Sequence, residues 1–231
     1  METSPKHYLQ HVKNIFQERG NPDTAEGQMN YMRNQFEYYG LKAQVWQSTA
    51  KEIFKDKGIP TGEDLKTLIR LCFEDEYREI QYFALEMAQK VIKKQAEDFI
   101  ELLEELIITK SWWDTVDWIS KLVNIHFKRF PEKMKSISEK WIESDNMWLQ
   151  RTAIIFQRYY KADTNPDLLF KYILRHIDSK EFFIQKAAGW ALRDYSKVNA
   201  EKVIEFIDAH PDLAPLTKRE GLKWLKNKDL I

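Results

Sequence analysis

Trp113 and Asp117 stand four residues apart in Lys110-Ser111-Trp112-Trp113-Asp114-Thr115-Val116-Asp117-Trp118, a spacing that puts both on one face of a helix. An indole face beside a carboxylate attracts positive charge. The same spacing equally suits a core tryptophan next to a solvated aspartate. Ser111 is placed to cap that helix, with Asp114 three residues on as a weak capping-box partner. Other constellations carry less chemistry. His7 and His11 are four apart, but no HExxH pattern or third ligand accompanies them. Glu101, Glu104 and Glu105 among leucines read as the solvated side of an amphipathic helix. No GxGxxG, Walker or GxSxG pattern occurs.

The elements that must position these residues are helices. The chain of 231 residues has 43% hydrophobic residues but only seven Gly and seven Pro, a composition that favours helices over a β-sandwich. Apolar residues recur at helical spacing, as in Leu65, Leu68, Ile69, Leu71 and Cys72. Turn signals at Asn21-Pro22, Gly58-Ile59-Pro60-Thr61, Phe130-Pro131, Asn165-Pro166, His210-Pro211 and Ala214-Pro215 cut the chain into about a dozen helices. A single domain over residues 1–231 is expected.

A weak internal repeat sets the architecture. Glu79-Ile80-Gln81-Tyr82-Phe83-Ala84, Trp148-Leu149-Gln150-Arg151-Thr152-Ala153 and Phe183-Ile184-Gln185-Lys186-Ala187-Ala188 share one pattern, each after an acidic or polar turn. The glutamines are 69 and 35 residues apart, nearly two periods and one, and a degenerate unit falls near Val116. Such periods mean stacked helix pairs of the TPR or HEAT kind, so the fold expected is an all-α, HEAT-like solenoid with a concave face. The position after each glutamine is Tyr82, then Asp117, Arg151 and Lys186. Structural columns in solenoids are normally aliphatic, so a polar one suggests a binding surface.

The 36 basic and 36 acidic side chains cancel, so composition alone does not announce nucleic acid. Residues 146–231 nonetheless hold 15 basic against 11 acidic side chains, and a neutral protein can carry a basic face. Lys110, Arg158, Lys161, Lys186, Arg193, Lys218 and Arg219 are candidate phosphate contacts, although a solvated surface suits any single one. The lone Cys72 excludes disulfides within the chain. Without an apolar leader or a long apolar run, a soluble, cytoplasmic protein is expected.

Four stretches carry a family resemblance: TKSWWDTVD at 109–117, SDNMWLQR at 144–151, SKEFFIQKAAGWALRDY at 179–195 and LAPLTKRE at 213–220. Together they resemble the AlkD family of bacterial DNA alkylation-repair glycosylases, over about residues 8–225. The resemblance implies catalytic roles for Trp113, Asp117 and Trp190, a phosphate contact for Arg151, and a lesion-facing aromatic at Tyr31. Lys42, Lys186, Arg193, Lys218 and Arg219 join the expected DNA-binding set. The implied partner is duplex DNA containing alkylated purines, with no metal or cofactor, no membrane, and a monomeric protein.

That chemistry suits the residues. Alkylation at N3 or N7 makes a purine cationic and a good leaving group, and the sugar becomes oxocarbenium-like as the bond breaks. A carboxylate at Asp117 would stabilise that charge, and Trp113 and Trp190 would offer π faces. The family is understood to act on a base still associated with the helix, rather than on one extruded into a pocket. One departure is visible: where the family carries Pro and Arg after Gly40, this chain reads Leu41-Lys42-Ala43-Gln44-Val45-Trp46-Gln47, with Lys42 its one charge. Two other readings remain open here, a non-catalytic relative that binds damaged DNA and a protein-interaction scaffold.

Overall fold

A computed structural model of the chain describes residues 4–231. Its secondary structure is helical: α1 (Pro5–Arg19), α2 (Pro22–Tyr31), α3 (Ala43–Lys57), α4 (Gly62–Glu74), α5 (Arg78–Val91), α6 (Phe99–Ile108), α7 (Trp113–Arg129), α8 (Pro131–Ile142), α9 (Met147–Ile155), α10 (Pro166–Arg175), α11 (Phe182–Ser196), α12 (Ala200–Ala209) and α13 (Pro215–Lys226). Three short 3₁₀ turns complete it. No strand occurs among the described residues; one isolated parallel bridge joins Glu37 and Tyr77. No helix among them is long and apolar enough to cross a membrane.

The punctuation acts through ordinary capping chemistry. The Asn21 side chain accepts from Thr24 N, and that of Asn165 from Leu168 N, each with Pro at the first helical position. Pro131 and Pro215 likewise stand at the first helical position of α8 and α13, without a side-chain cap. Gly58 closes α3 at φ +75°, a conformation that costs glycine little.

Two compact units are present, residues 1–110 and 111–231. In the first, Val12, Phe16, Leu68, Ile69, Cys72 and Phe83 are fully or almost fully buried. In the second, Phe127 sits 5.9 Å from Trp141 and 5.3 Å from Phe156, all three buried. Each such side chain contributes about 1.5–3 kcal/mol through burial.

The repeat has a physical basis. The side-chain amides of Gln81, Gln150 and Gln185 donate to the carbonyls of Asp75, Ser144 and Ser179 at 3.1, 2.6 and 2.9 Å. Each glutamine is the fourth residue of its helix and reaches back six residues to tie down the preceding turn. Val116 is the fourth residue of α7, so the degenerate unit keeps the register while its apolar side chain cannot make this bond. Cross-repeat bonds follow the same period. In the first unit Arg70 Nε donates to Glu105, 35 residues away, and Lys66 Nζ to Asp98, 32 away. In the second, Asn124 donates to the Phe156 carbonyl and the Ser138 and Tyr172 hydroxyls share a hydrogen bond, 32 and 34 residues apart. Stacked helical repeats are therefore the architecture of this chain, as the column of glutamines implies.

The departure after Gly40 is held by a buried acid. Glu79 accepts from the backbone N–H groups of Tyr39, Gly40 and Leu41 at 3.1, 2.9 and 3.0 Å. Gly40 has φ +86°, and a Cβ there would lie 1.9 Å from the Asn21 carbonyl oxygen, so no other residue fits. Burial raises the Glu79 carboxyl from its ordinary value, and the three N–H donors oppose the rise. This anchored turn delivers Lys42 to the start of α3.

Candidate active site

The second unit brings the charged column together. Arg151, on α9, directs Nε to Asp117 Oδ1 at 2.8 Å and Nη2 to Asp117 Oδ2 at 2.9 Å. Its remaining terminal nitrogen, Nη1, donates to the Phe183 carbonyl at 2.6 Å. The Arg151 side chain is 1% exposed and that of Asp117 20%. The acid is therefore the outward partner of a forked pair, its orientation fixed from behind. Arg151 was expected to grip phosphate; its burial and its three engaged nitrogens leave it facing Asp117 and Phe183.

Trp113 opens α7, one turn before Asp117 on the same face, and is half-buried. The helix starts with Trp112, not Ser111, at its N-cap, one residue later than the Ser111 signal. The reason is local. Lys110 takes φ +44°, and Trp112 is extended at φ −153°, which sets the first helical turn at Trp113. Behind the pair, the Trp112, Trp148 and Phe183 rings pack mutually, with centroids 5.0–5.9 Å apart.

Trp190, on α11, is half-buried, and its ring lies 5.3 Å from the Arg151 guanidinium that holds Asp117. Arg158 at 5.0 Å, Lys186 at 5.4 Å and Arg193 at 6.0 Å also surround it. These cations are partnered. Arg158 binds Asp194 at 2.7 Å, and Lys186 and Arg193 bind Glu220 at 2.8 and 3.3 Å. Lys186 thus continues the column as an ion pair, and one more period reaches Glu220, which the sequence reading missed. The signal was present: Asp117 with Arg151, Arg158 with Asp194, and Lys186 with Glu220 are 34, 36 and 34 residues apart.

The other expected DNA contacts fall as follows. Lys218 donates to the Pro211 carbonyl at 2.5 Å, and Arg219 is exposed on the first turns of α13. Lys110 Nζ donates to the carbonyls of Glu74 and Asp75, and Lys161 is exposed at φ +54°. In the first unit, Lys42 is exposed and Tyr31, at the end of α2, is 70% exposed. Arg33 and Asn34 follow Tyr31 with φ of 57° and 55°, a tight turn that sets the direction of the chain after it. Among the described residues no group of three or more His, Cys, Asp or Glu side chains could hold a metal ion.

A sequence comparison with curated proteins returns no match. Among solved structures, a predicted DNA alkylation repair enzyme from Enterococcus faecalis is 33% identical, with 89% of this chain and 96% of that one covered and a TM-score of 0.84. AlkD2 from Streptococcus mutans is 17% identical over 96% of this chain and 98% of that one, with a TM-score of 0.65. The smu.31 protein of Streptococcus mutans UA159 is 16% identical over 94% and 97%, with a TM-score of 0.61. The last two likenesses show the shared helical-repeat fold. The model of the DNA alkylation repair enzyme family matches residues 12–225, and the chain belongs to that family.

Proposed function

We propose that this protein is a monofunctional DNA glycosylase that hydrolyses the N-glycosidic bond of cationic N3- and N7-alkylated purines, such as 3-methyladenine and 7-methylguanine, in duplex DNA. Membership of the DNA alkylation repair enzyme family supports the substrate class. The observation that carries the reaction is the Asp117 carboxylate, presented outward by the buried Arg151 fork.

As the C1′–N bond breaks, its electron pair moves to the alkylated base, which leaves uncharged, and the sugar takes on positive charge. Asp117 is the fixed negative end of a dipole whose positive end is buried, so its potential reaches the developing oxocarbenium without reorganisation. Two carboxylate oxygens have room for more than the two Arg151 bonds, and one can orient the water that adds to C1′ and take its proton. Trp113, one turn before Asp117 on α7, and Trp190, beside the Arg151 guanidinium, would offer π faces, each worth about 0.5–2 kcal/mol towards a cation. Arg151 acts through Asp117 rather than on the DNA. In the first unit Tyr31 and Lys42, and in the second Arg219, are exposed groups available to the duplex. The reaction needs no metal or cofactor and takes place on DNA in the cytoplasm.

The test is direct. Incubation with methylated duplex DNA should release 3-methyladenine and 7-methylguanine and leave abasic sites, read by chromatography of the free bases. Binding without release would instead identify a non-catalytic relative.

A further inference from the structure

Trp190 is an unusual place to receive a cationic base, because four cations already lie within 6.0 Å of its ring. Three carboxylates answer them: Asp117, Asp194 and Glu220. Glu220 holds two of these four cations. Its Oε1 accepts from Lys186 Nζ at 2.8 Å and its Oε2 from Arg193 Nη1 at 3.3 Å, with its side chain 10% exposed. Burial would raise the Glu220 carboxyl, but the Lys186 bond and the charges of Lys186, Arg193 and Lys223 outweigh it and hold the carboxyl below its ordinary value.

The helix packing is built for this contact. Gly189, just before Trp190, lies where a Cβ would be 2.5 Å from Glu220 Cβ and 3.0 Å from the Thr217 carbonyl oxygen. A glycine in mid-helix is unfavourable in itself. Here it lets α13 bring a carboxylate against the cations beside Trp190.

We propose that Glu220 is a positioning and specificity-determining residue. By occupying Lys186 and Arg193 together, it prevents two cations from competing with a positively charged base for the Trp190 face, and from binding DNA phosphate in its place. The proposal rests on the excision reading above. It implies a trade-off of opposite signs, in which freeing the two cations tightens general DNA binding and slows removal of a cationic base.

The experiment compares wild type, Glu220→Gln and the double variant Glu220→Gln with Lys186→Gln, all below their thermal transitions. Glu220→Gln should lower single-turnover release of 7-methylguanine by about tenfold or more, the effect of about one unbalanced charge at this range. Its affinity for undamaged duplex should rise, and the slope of log affinity against log salt should steepen by about one to two. The double variant should recover part of the lost rate, because one competing cation is gone. Loss of rate together with loss of affinity would assign Glu220 a purely structural role and overturn the proposal, as would unchanged rate and slope. A wild type that releases no 7-methylguanine would overturn the excision reading and this proposal with it. A wild type that does release it, beside an unaltered Glu220→Gln, would overturn the proposal alone.

Discussion

Arg151 grips Asp117 through both carboxylate oxygens, at 2.8 and 2.9 Å, while its third nitrogen is held by the Phe183 carbonyl. Asp117 and Arg151 therefore form one unit, in which the buried partner aims the outward one. A guanidinium suits this task because its planar fork fixes two oxygens at once, which an ammonium cannot do.

Replacing Arg151 by Ala should therefore reduce excision strongly and leave the salt dependence of DNA binding unchanged. A buried side chain at 1% exposure releases no counterion from phosphate. Stability should fall by about 3 kcal/mol, the low end for a broken buried pair, because Asp117 keeps some contact with solvent. Denaturant titration and binding across a salt series measure the two effects. A salt slope flattened by about one would return Arg151 to the phosphate backbone.

Asp117→Asn should lower single-turnover excision by orders of magnitude, because it removes the charge and keeps the shape. The structure adds a cost that side-chain shape alone would not show. Arg151 would remain buried opposite a neutral amide with a single acceptor oxygen, so melting should also fall, by about 1–3 kcal/mol. Near-normal turnover with Asn at 117 would refute the electrostatic role.

The turn-tying glutamines give a stability test free of catalysis. Gln150→Leu and Gln185→Leu each leave a turn carbonyl without its partner and should cost about 1 kcal/mol, with excision unaffected below the melting transition. Equilibrium unfolding would detect this, and a neutral outcome at both positions would separate the sequence repeat from the turn bonds.

Much of this was legible in the sequence, and the remainder shows where single-sequence reasoning stops. Helix boundaries at Asn21-Pro22, Asn165-Pro166 and Gly58 were readable because capping is local chemistry. The repeat was readable because one glutamine bond recurs in fixed register. The start of α7 lies one residue beyond the Ser111 signal, where Lys110 takes φ +44° and Trp112 is extended. The partner of Arg151 was harder. A phosphate ligand and a buried fork both call for arginine, and burial distinguishes them only in three dimensions. The 34-residue spacing from Asp117 to Arg151 recurs from Lys186 to Glu220, and that second interval carried the missing information.

Cys72 offers a probe of the first unit. It is fully buried, and desolvation, with Asp75 adding to it, pushes its thiol well above the usual range. Thiol reagents should label it only as fast as the surrounding helices open, and labelling should quicken in step with denaturant. Rapid labelling of the native protein would contradict the packing around α4.

On the proposed mechanism, Asp117, Trp113 and Trp190 favour a base that already carries positive charge. Single-turnover excision on matched duplexes holding 7-methylguanine or hypoxanthine at the same position tests it most directly. 7-Methylguanine should be released readily, and hypoxanthine more slowly by orders of magnitude. Comparable rates for the two would contradict it, and would require a general acid or a base-reading pocket instead.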